Sequence, residues 1–122
     1  MAAYRSNVEG DSLMSDDLHS PKTPIPSELA QEDESFTELV EDFIQGLGER
    51  LGQMVDAAQE GDFAMLQTLA HQLKGSAGGY GYPILTKKAG DMELHAVAQE
   101  LVAVQADLDN LQELASRVVV RL

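Results

Sequence analysis

The stretch LAHQLKGSAGGYGYP, Leu69 to Pro83, sets a histidine and a lysine just ahead of Gly75, Gly78, Gly79 and Gly81. A solvent-facing imidazole keeps a neutral, nucleophilic population near neutral pH, and a lysine one turn away adds a compact cation. His71 can therefore take a phosphoryl group on its basic nitrogen, with Lys74 offsetting part of the added charge. Nothing in the chain supplies the means to activate a nucleotide. No G-x-x-x-x-G-K-[ST] loop occurs, and Lys74 precedes the glycines rather than following them. The phosphoryl group must come from a second protein with catalytic groups of its own.

Where His71 points depends on the helix that carries it. Phe63, Leu66, Leu69, Ala70, Leu73, Ala77 and Tyr80 form an apolar stripe at helical spacing. At about 100° per residue, His71 lies roughly 140° around from the centre of that stripe and faces outward. Gln67 and Gly78 share its face, Gly75 lies one turn onward, and Lys74 sits on the shoulder toward the core. Gly75 and Gly78 together cost about 2 kcal/mol against alanine in a helix interior. A surface histidine on a frayed helix end leaves that cost unexplained, whereas close approach of a partner surface explains it. The partner-docking face is accordingly expected to comprise Gln67, Gly75 and Gly78, with Phe43 and Leu47 of the preceding helix.

That preceding helix is expected from about Ser35 to Gly61, with Phe36, Val40, Phe43, Leu47, Leu51, Met54 and Ala58 on one face, either bent near Gly46 to Gly48 or broken there into two short helices. Asp62 is placed to cap the His71 helix, which ends at "GYP". Pro83 opens a third helix with Leu85, Ala89, Met92 and Ala96 inward, and a last helix is expected from Gln99 to Leu122, the β-branched "RVVVRL" included because it continues the stripe. Four amphipathic helices on short connections bury their stripes against one another, so the fold class is all-α, an up-down-up-down antiparallel four-helix bundle. Residues 1–27, polar and carrying Pro21, Pro24 and Pro26, read as a flexible tail, and 28–122 as the bundle, with a possible short extra helix capped by Ser27.

The 122 residues suffice for one core, and the absence of cysteine fits a reducing compartment, so a cytoplasmic location is expected. The net charge of −13 disfavours nucleic acid and anionic membranes. It is spread along the chain, with eight acids against two basic residues up to Glu34 and thirteen against six thereafter. No apolar run is long enough to span a membrane. Four stripes close a core without help, which favours a monomer.

At His71, Leu73, Lys74, Gly75, Ser76, Ala77, Tyr80 and Gly81 the sequence resembles the histidine-containing phosphotransfer (HPt) domain, whose pattern is H-x-L-K-G-S-A followed by three positions, an apolar one among them, and a glycine. Leu85, Ala89, Met92, Glu93 and Ala96 echo the family's next helix, and the resemblance covers about Ser35 to Leu122. Tyr80 stands where leucine or phenylalanine is commoner, and Tyr82 where a small residue is usual. The resemblance implies a phosphocarrier without independent catalytic turnover. His71 would accept a phosphoryl group from a histidine kinase, a hybrid kinase or a receiver-domain phospho-aspartate and pass it to a response-regulator receiver. Lys74 would belong to the phosphate's surroundings and Gly75 would leave room for the receiver. No cofactor is implied here, because the receiver brings the aspartate and the Mg²⁺.

The rival reading is a bundle used only for binding a signalling partner, its histidine never phosphorylated; the presence of both His71 and Lys74 favours the carrier. The phosphoacceptor module of a chemotaxis-type kinase would require further domains. Asp91 and His95 share a helix face, but di-metal bundles use Glu-x-x-His pairs with additional inward carboxylates, so no metal site is expected. Lys87 and Lys88 read as a solvated face, and Ser76 as a hydrogen-bonding flank.

Overall fold

Alternating prolines decide how the chain enters the fold. In the computed structural model, which describes residues 23–122, β1 (Ile25–Pro26) pairs in parallel with a short strand at the far end of the chain, Val118–Val119. Ile25 N–H donates to the Arg117 carbonyl at 2.8 Å and Ser27 N–H to the Val120 carbonyl at 3.1 Å. Pro24 and Pro26 have no N–H, so donors exist only at the alternate positions that face the partner strand. Ser27 then caps α1 (Glu28–Glu32), accepting from Ala30 N–H at 3.1 Å. A 3-10 turn (Glu34–Phe36) leads into α2 (Thr37–Gln59).

Three further helices follow: α3 (Phe63–Gly79), α4 (Pro83–Val97) and α5 (Leu101–Ala115), after which comes β2 (Val118–Val119). The turn into α3 uses Gly61 at φ +67°, and the Asp62 carboxylate accepts from Met65 N–H at 3.0 Å, satisfying one of the unpaired donors of that helix start. Pro83 occupies the first turn of α4, where its missing N–H costs nothing. The chain is mostly helical, and α2, α3, α4 and α5 close a ring of contacts in which α3 packs on α2 and α4, and α5 on α4 and α2. Val40 and Met54, Leu66 and Leu73, Leu85 and Met92, and Val104 and Leu111 are fully buried between them.

Of the two alternatives for the first long helix the continuous one is observed: α2 runs unbroken through Gly46, Gly48 and Gly52, and burial of its apolar face offsets the glycine cost. The expectation and the structure differ in two places. α5 stops at Ala115 instead of continuing to Leu122, because the β-branched run finds an edge to pair with in β1. The ordered fold begins before residue 28: Thr23 to Ser27 belong to it, and Ser27 is fully buried. The remainder of the expected tail, residues 1–22, lies outside the described residues. The short helix expected after Ser27 is α1.

Tyr82 ties these segments to the bundle. It is the largest fully buried side chain, its hydroxyl donates to the Val119 carbonyl at 2.7 Å, and burial pushes its pKa up to about 12. Phe43 stacks on Tyr80 and Tyr82, with ring centroids 4.9 and 5.7 Å apart.

Candidate functional site

Because Leu66, Leu69, Leu73 and Ala77 hold α3 in the core, His71 is carried on its outer surface with its side chain 67% exposed. It leans toward α4, where Nδ1 lies 3.0 Å from Glu93 Oε2. The other oxygen, Oε1, lies 2.8 Å from Lys74 Nζ. The Lys74 ammonium, followed by the His71 contact, holds the Glu93 carboxyl below its ordinary range against the opposing effect of partial burial. An ionised carboxylate only accepts hydrogen bonds, so Nδ1 of His71 must carry the proton and donate it. In neutral imidazole the lone pair then resides on Nε2. The site is a nucleophilic nitrogen whose tautomer is fixed from behind by a carboxylate, itself anchored by a lysine one turn along α3.

The Hpt domain family model matches residues 38–119, spanning all four bundle helices and this site. The chain belongs to the Hpt domain family. Hpt domains carry phosphoryl groups in phosphorelay signalling. Comparison with curated protein sequences and with solved structures gave no significant match.

Placement of the expected docking residues in this Hpt domain is mixed. Gln67, Gly75 and Gly78 are exposed on the histidine's helix. An alanine methyl at Gly75 would meet nothing within 4 Å, so the surface beside His71 is open there. Gly78 is different, since a methyl would come within 3.1 Å of Thr86 Oγ1, which donates to the Lys74 carbonyl at 3.0 Å. Close packing of α3 on α4 accounts for that glycine. Phe43 and Leu47 are 8% and 3% exposed and belong to the core, so neither presents the surplus apolar surface expected of a docking face, although Phe43 borders a cleft on the α2–α3 seam. The apolar surplus of α2 is consumed by the aromatic stack and by packing on both α3 and α5.

Glu93 is the site residue that rotation angles on a single helix do not reveal. Its position follows from register across the α3–α4 turn: positions 78 and 86 meet, 74 and 90 meet, and 71 and 93 meet, each pair equidistant from Tyr82. Counting outward from the turn would have found it. Glu93→Gln keeps an acceptor for Nδ1 but removes the charge. Since hydrogen bonds to charged groups contribute about 1.5–3 kcal/mol, labelling of His71 by phosphoramidate, a small phosphodonor, is expected to slow about 10- to 100-fold, measured as initial rate under conditions where circular dichroism is unchanged.

Among the described residues no cluster of three or more His, Asp or Glu side chains is arranged to hold a metal ion, and no helix is long and apolar enough to cross a membrane. His95 is engaged by α5. Its Nδ1 lies 2.6 Å from Oδ2 of the buried Asp107 on α5, whose other oxygen is 3.9 Å from Lys88. The hydrogen bond to Asp107 raises the His95 pKa, helped by Glu100 and Asp91 and opposed by desolvation. Protonated His95 thus stabilises the fold fully below the pKa of an unfolded histidine, about 6.5, and the contribution is lost as pH rises through the higher folded value. The urea midpoint is expected to decline over that window in the natural protein, with the decline flattened in His95→Gln.

Proposed function

We propose that this Hpt domain accepts a phosphoryl group on Nε2 of His71 from the phospho-aspartate of a receiver domain, or from a histidine kinase, and passes it to a response-regulator receiver. The observation that carries the reading is the exposed His71 ring with Nδ1 bonded to ionised Glu93. In the transfer, the Nε2 lone pair forms the N–P bond while the P–O bond to the partner's aspartate breaks and the carboxylate leaves with its electron pair. No proton leaves the ring, because Nδ1 keeps its own. The ring becomes cationic as the bond forms, and Glu93 sits against the edge where that charge develops. Return transfer to another aspartate reverses each change. Lys74 holds Glu93 and adds a cation near the incoming phosphate.

The paired positions along α3 and α4 run in opposite senses, which supports reading the bundle as antiparallel and up-down-up-down. A cytoplasmic monomer without a resident cofactor completes the proposal, with any Mg²⁺ held by the receiver. Incubation with phosphorylated receiver domains and Mg²⁺ tests it. Label that is lost in acid and on heating but survives alkali marks a phosphohistidine. Absence of such label with every receiver and kinase tried points instead to a bundle that only binds.

A further inference from the structure

Most lysines and arginines among the described residues have a carboxylate at hand. Lys74 lies 2.8 Å from Glu93, Lys87 and Lys88 each 3.5 Å from Asp91, Arg117 3.0 Å from Glu113 and Arg121 2.8 Å from Glu34. Arg50 on α2 is the exception: among the described residues it has no ion pair and no side-chain hydrogen bond. Scarcity of acids is not the reason, since the chain has 21 of them against eight lysines and arginines. The reason is local. One turn away on either side α2 offers Gly46 and Leu47, then Gln53 and Met54, so no carboxylate stands at the spacing that pairs side chains along a helix.

The unpaired guanidinium lies on the seam between α2 and the histidine's helix. Arg50 and Gly46 line two adjoining clefts along the seam between α2 and α3, of about 230 and 310 Å³; one reaches Ser76 and the other Gln72, the residue next to His71. Asp42 borders the first and Glu49 the second, neither within ion-pair distance of Arg50. Gly75, between Gln72 and Ser76 in sequence, leaves the surface open there, as Gly46 does on α2. The two cations flanking α3 are thus in different conditions. Lys74 is occupied by Glu93 on the α4 side, whereas Arg50 retains its full hydrogen-bonding fork on the α2 side.

We infer that Arg50 is a specificity-determining docking residue whose guanidinium takes a carboxylate side chain of the receiver domain in the α2–α3 seam, an inference that rests on the phosphocarrier reading of His71. A planar fork receives a carboxylate through two parallel hydrogen bonds, which fixes orientation as well as adding attraction. A chain of net charge −13 otherwise repels an acidic partner, so an unpaired cation on the seam beside the phosphoacceptor's helix selects the register of approach. Arg50 touches neither the phosphorus nor the imidazole in this account; it positions the partner.

The test uses the full chain, the receiver domains of the source proteome and two phosphodonors. Phosphoramidate needs no docking and is expected to label His71 at the same rate in the natural protein, Arg50→Lys and Arg50→Glu. For a receiver that exchanges phosphate with the natural protein, Arg50→Glu is expected to raise the half-saturating concentration about tenfold or more with little change in the rate at saturation, and Arg50→Lys to raise it less. Added salt is expected to weaken transfer by the natural protein more than by Arg50→Glu. Unchanged half-saturation in Arg50→Glu overturns the docking role and leaves the carrier reading standing. Slower phosphoramidate labelling in Arg50→Glu overturns it too, by assigning Arg50 to the site itself. No transfer from any receiver, with phosphoramidate labelling intact, overturns the carrier reading and the docking role together.

Discussion

His71→Gln is expected to eliminate acid-labile label, from a phosphorylated receiver and from phosphoramidate alike, while unfolding stability stays within about 0.5 kcal/mol of the natural protein. The two halves of this expectation have separate causes. Chemically, glutamine has no basic nitrogen, so no N–P bond forms at position 71. Structurally, the His71 side chain is 67% exposed, and its one hydrogen bond is to Glu93, to which a glutamine amide N–H can also donate. The label is not expected to move to His95. That ring is 37% exposed and, when protonated against the buried Asp107, has no lone pair to offer, while Glu100 and Asp91 nearby repel an anionic donor. Phosphopeptide mapping under alkaline conditions distinguishes the two histidines, and label persisting at His95 in the variant would remove His71 from its proposed place.

The sequence-based reading succeeded where one helix sufficed and failed where two distant segments had to meet. Outward orientation of His71 depends only on the stripe of α3, so rotation angle gave it. Glu93 depends on how α4 returns along α3, and the apolar pattern of α4 alone treats it as one more polar position. The extent to which Phe43 and Leu47 are buried was not legible because the number of partners α2 has in the core, α3 and α5 together with Tyr80 and Tyr82, is a property of the assembled bundle. The run Val118 to Val120 fits helix and strand periodicity alike, and what decides for strand is pairing with Ile25, far away in sequence. Arg50 was invisible for a further reason: its significance lies in lacking a partner, which is defined only once the carboxylates around it are placed.

Tyr82 accounts for the way the segments flanking the four helices pack on the α3–α4 turn. A large buried tyrosine at the α3–α4 turn needs a hydrogen-bond acceptor and a cover. β2 supplies the acceptor at Val119, and the segment from Ile25 through α1 packs over the turn: Ser27 Oγ donates to the Tyr80 carbonyl at 2.6 Å, and Glu28 N–H to the Gly81 carbonyl at 2.8 Å. The segments on either side of the four helices therefore close on the turn following α3.

That closure makes Gly81→Ala the most damaging glycine-to-alanine change expected among the described residues. Gly81 has φ +93°, a conformation that costs a side-chain-bearing residue strain, and an added Cβ would lie 2.5 Å from Leu29 N, 2.6 Å from Ser27 Oγ and 2.8 Å from Glu28 N. Two of these neighbours are backbone atoms at the start of α1, so relief requires α1 to move away and break the bonds of Ser27 and Glu28 to the turn. Strain and overpacking each contribute about 1–3 kcal/mol, and a loss of about 2–5 kcal/mol is expected in urea unfolding. Amide exchange should accelerate first at Ile25, Ser27 and Glu28, whose N–H groups lose their acceptors. Phosphoramidate labelling of His71 should persist wherever the variant remains folded, because the His71–Glu93–Lys74 constellation is built from the α3–α4 face and not from the segment containing α1. Unchanged stability, with exchange at Ile25, Ser27 and Glu28 as slow as before, would mean that α1 and the paired strands yield to the methyl at no cost and do not clamp the turn.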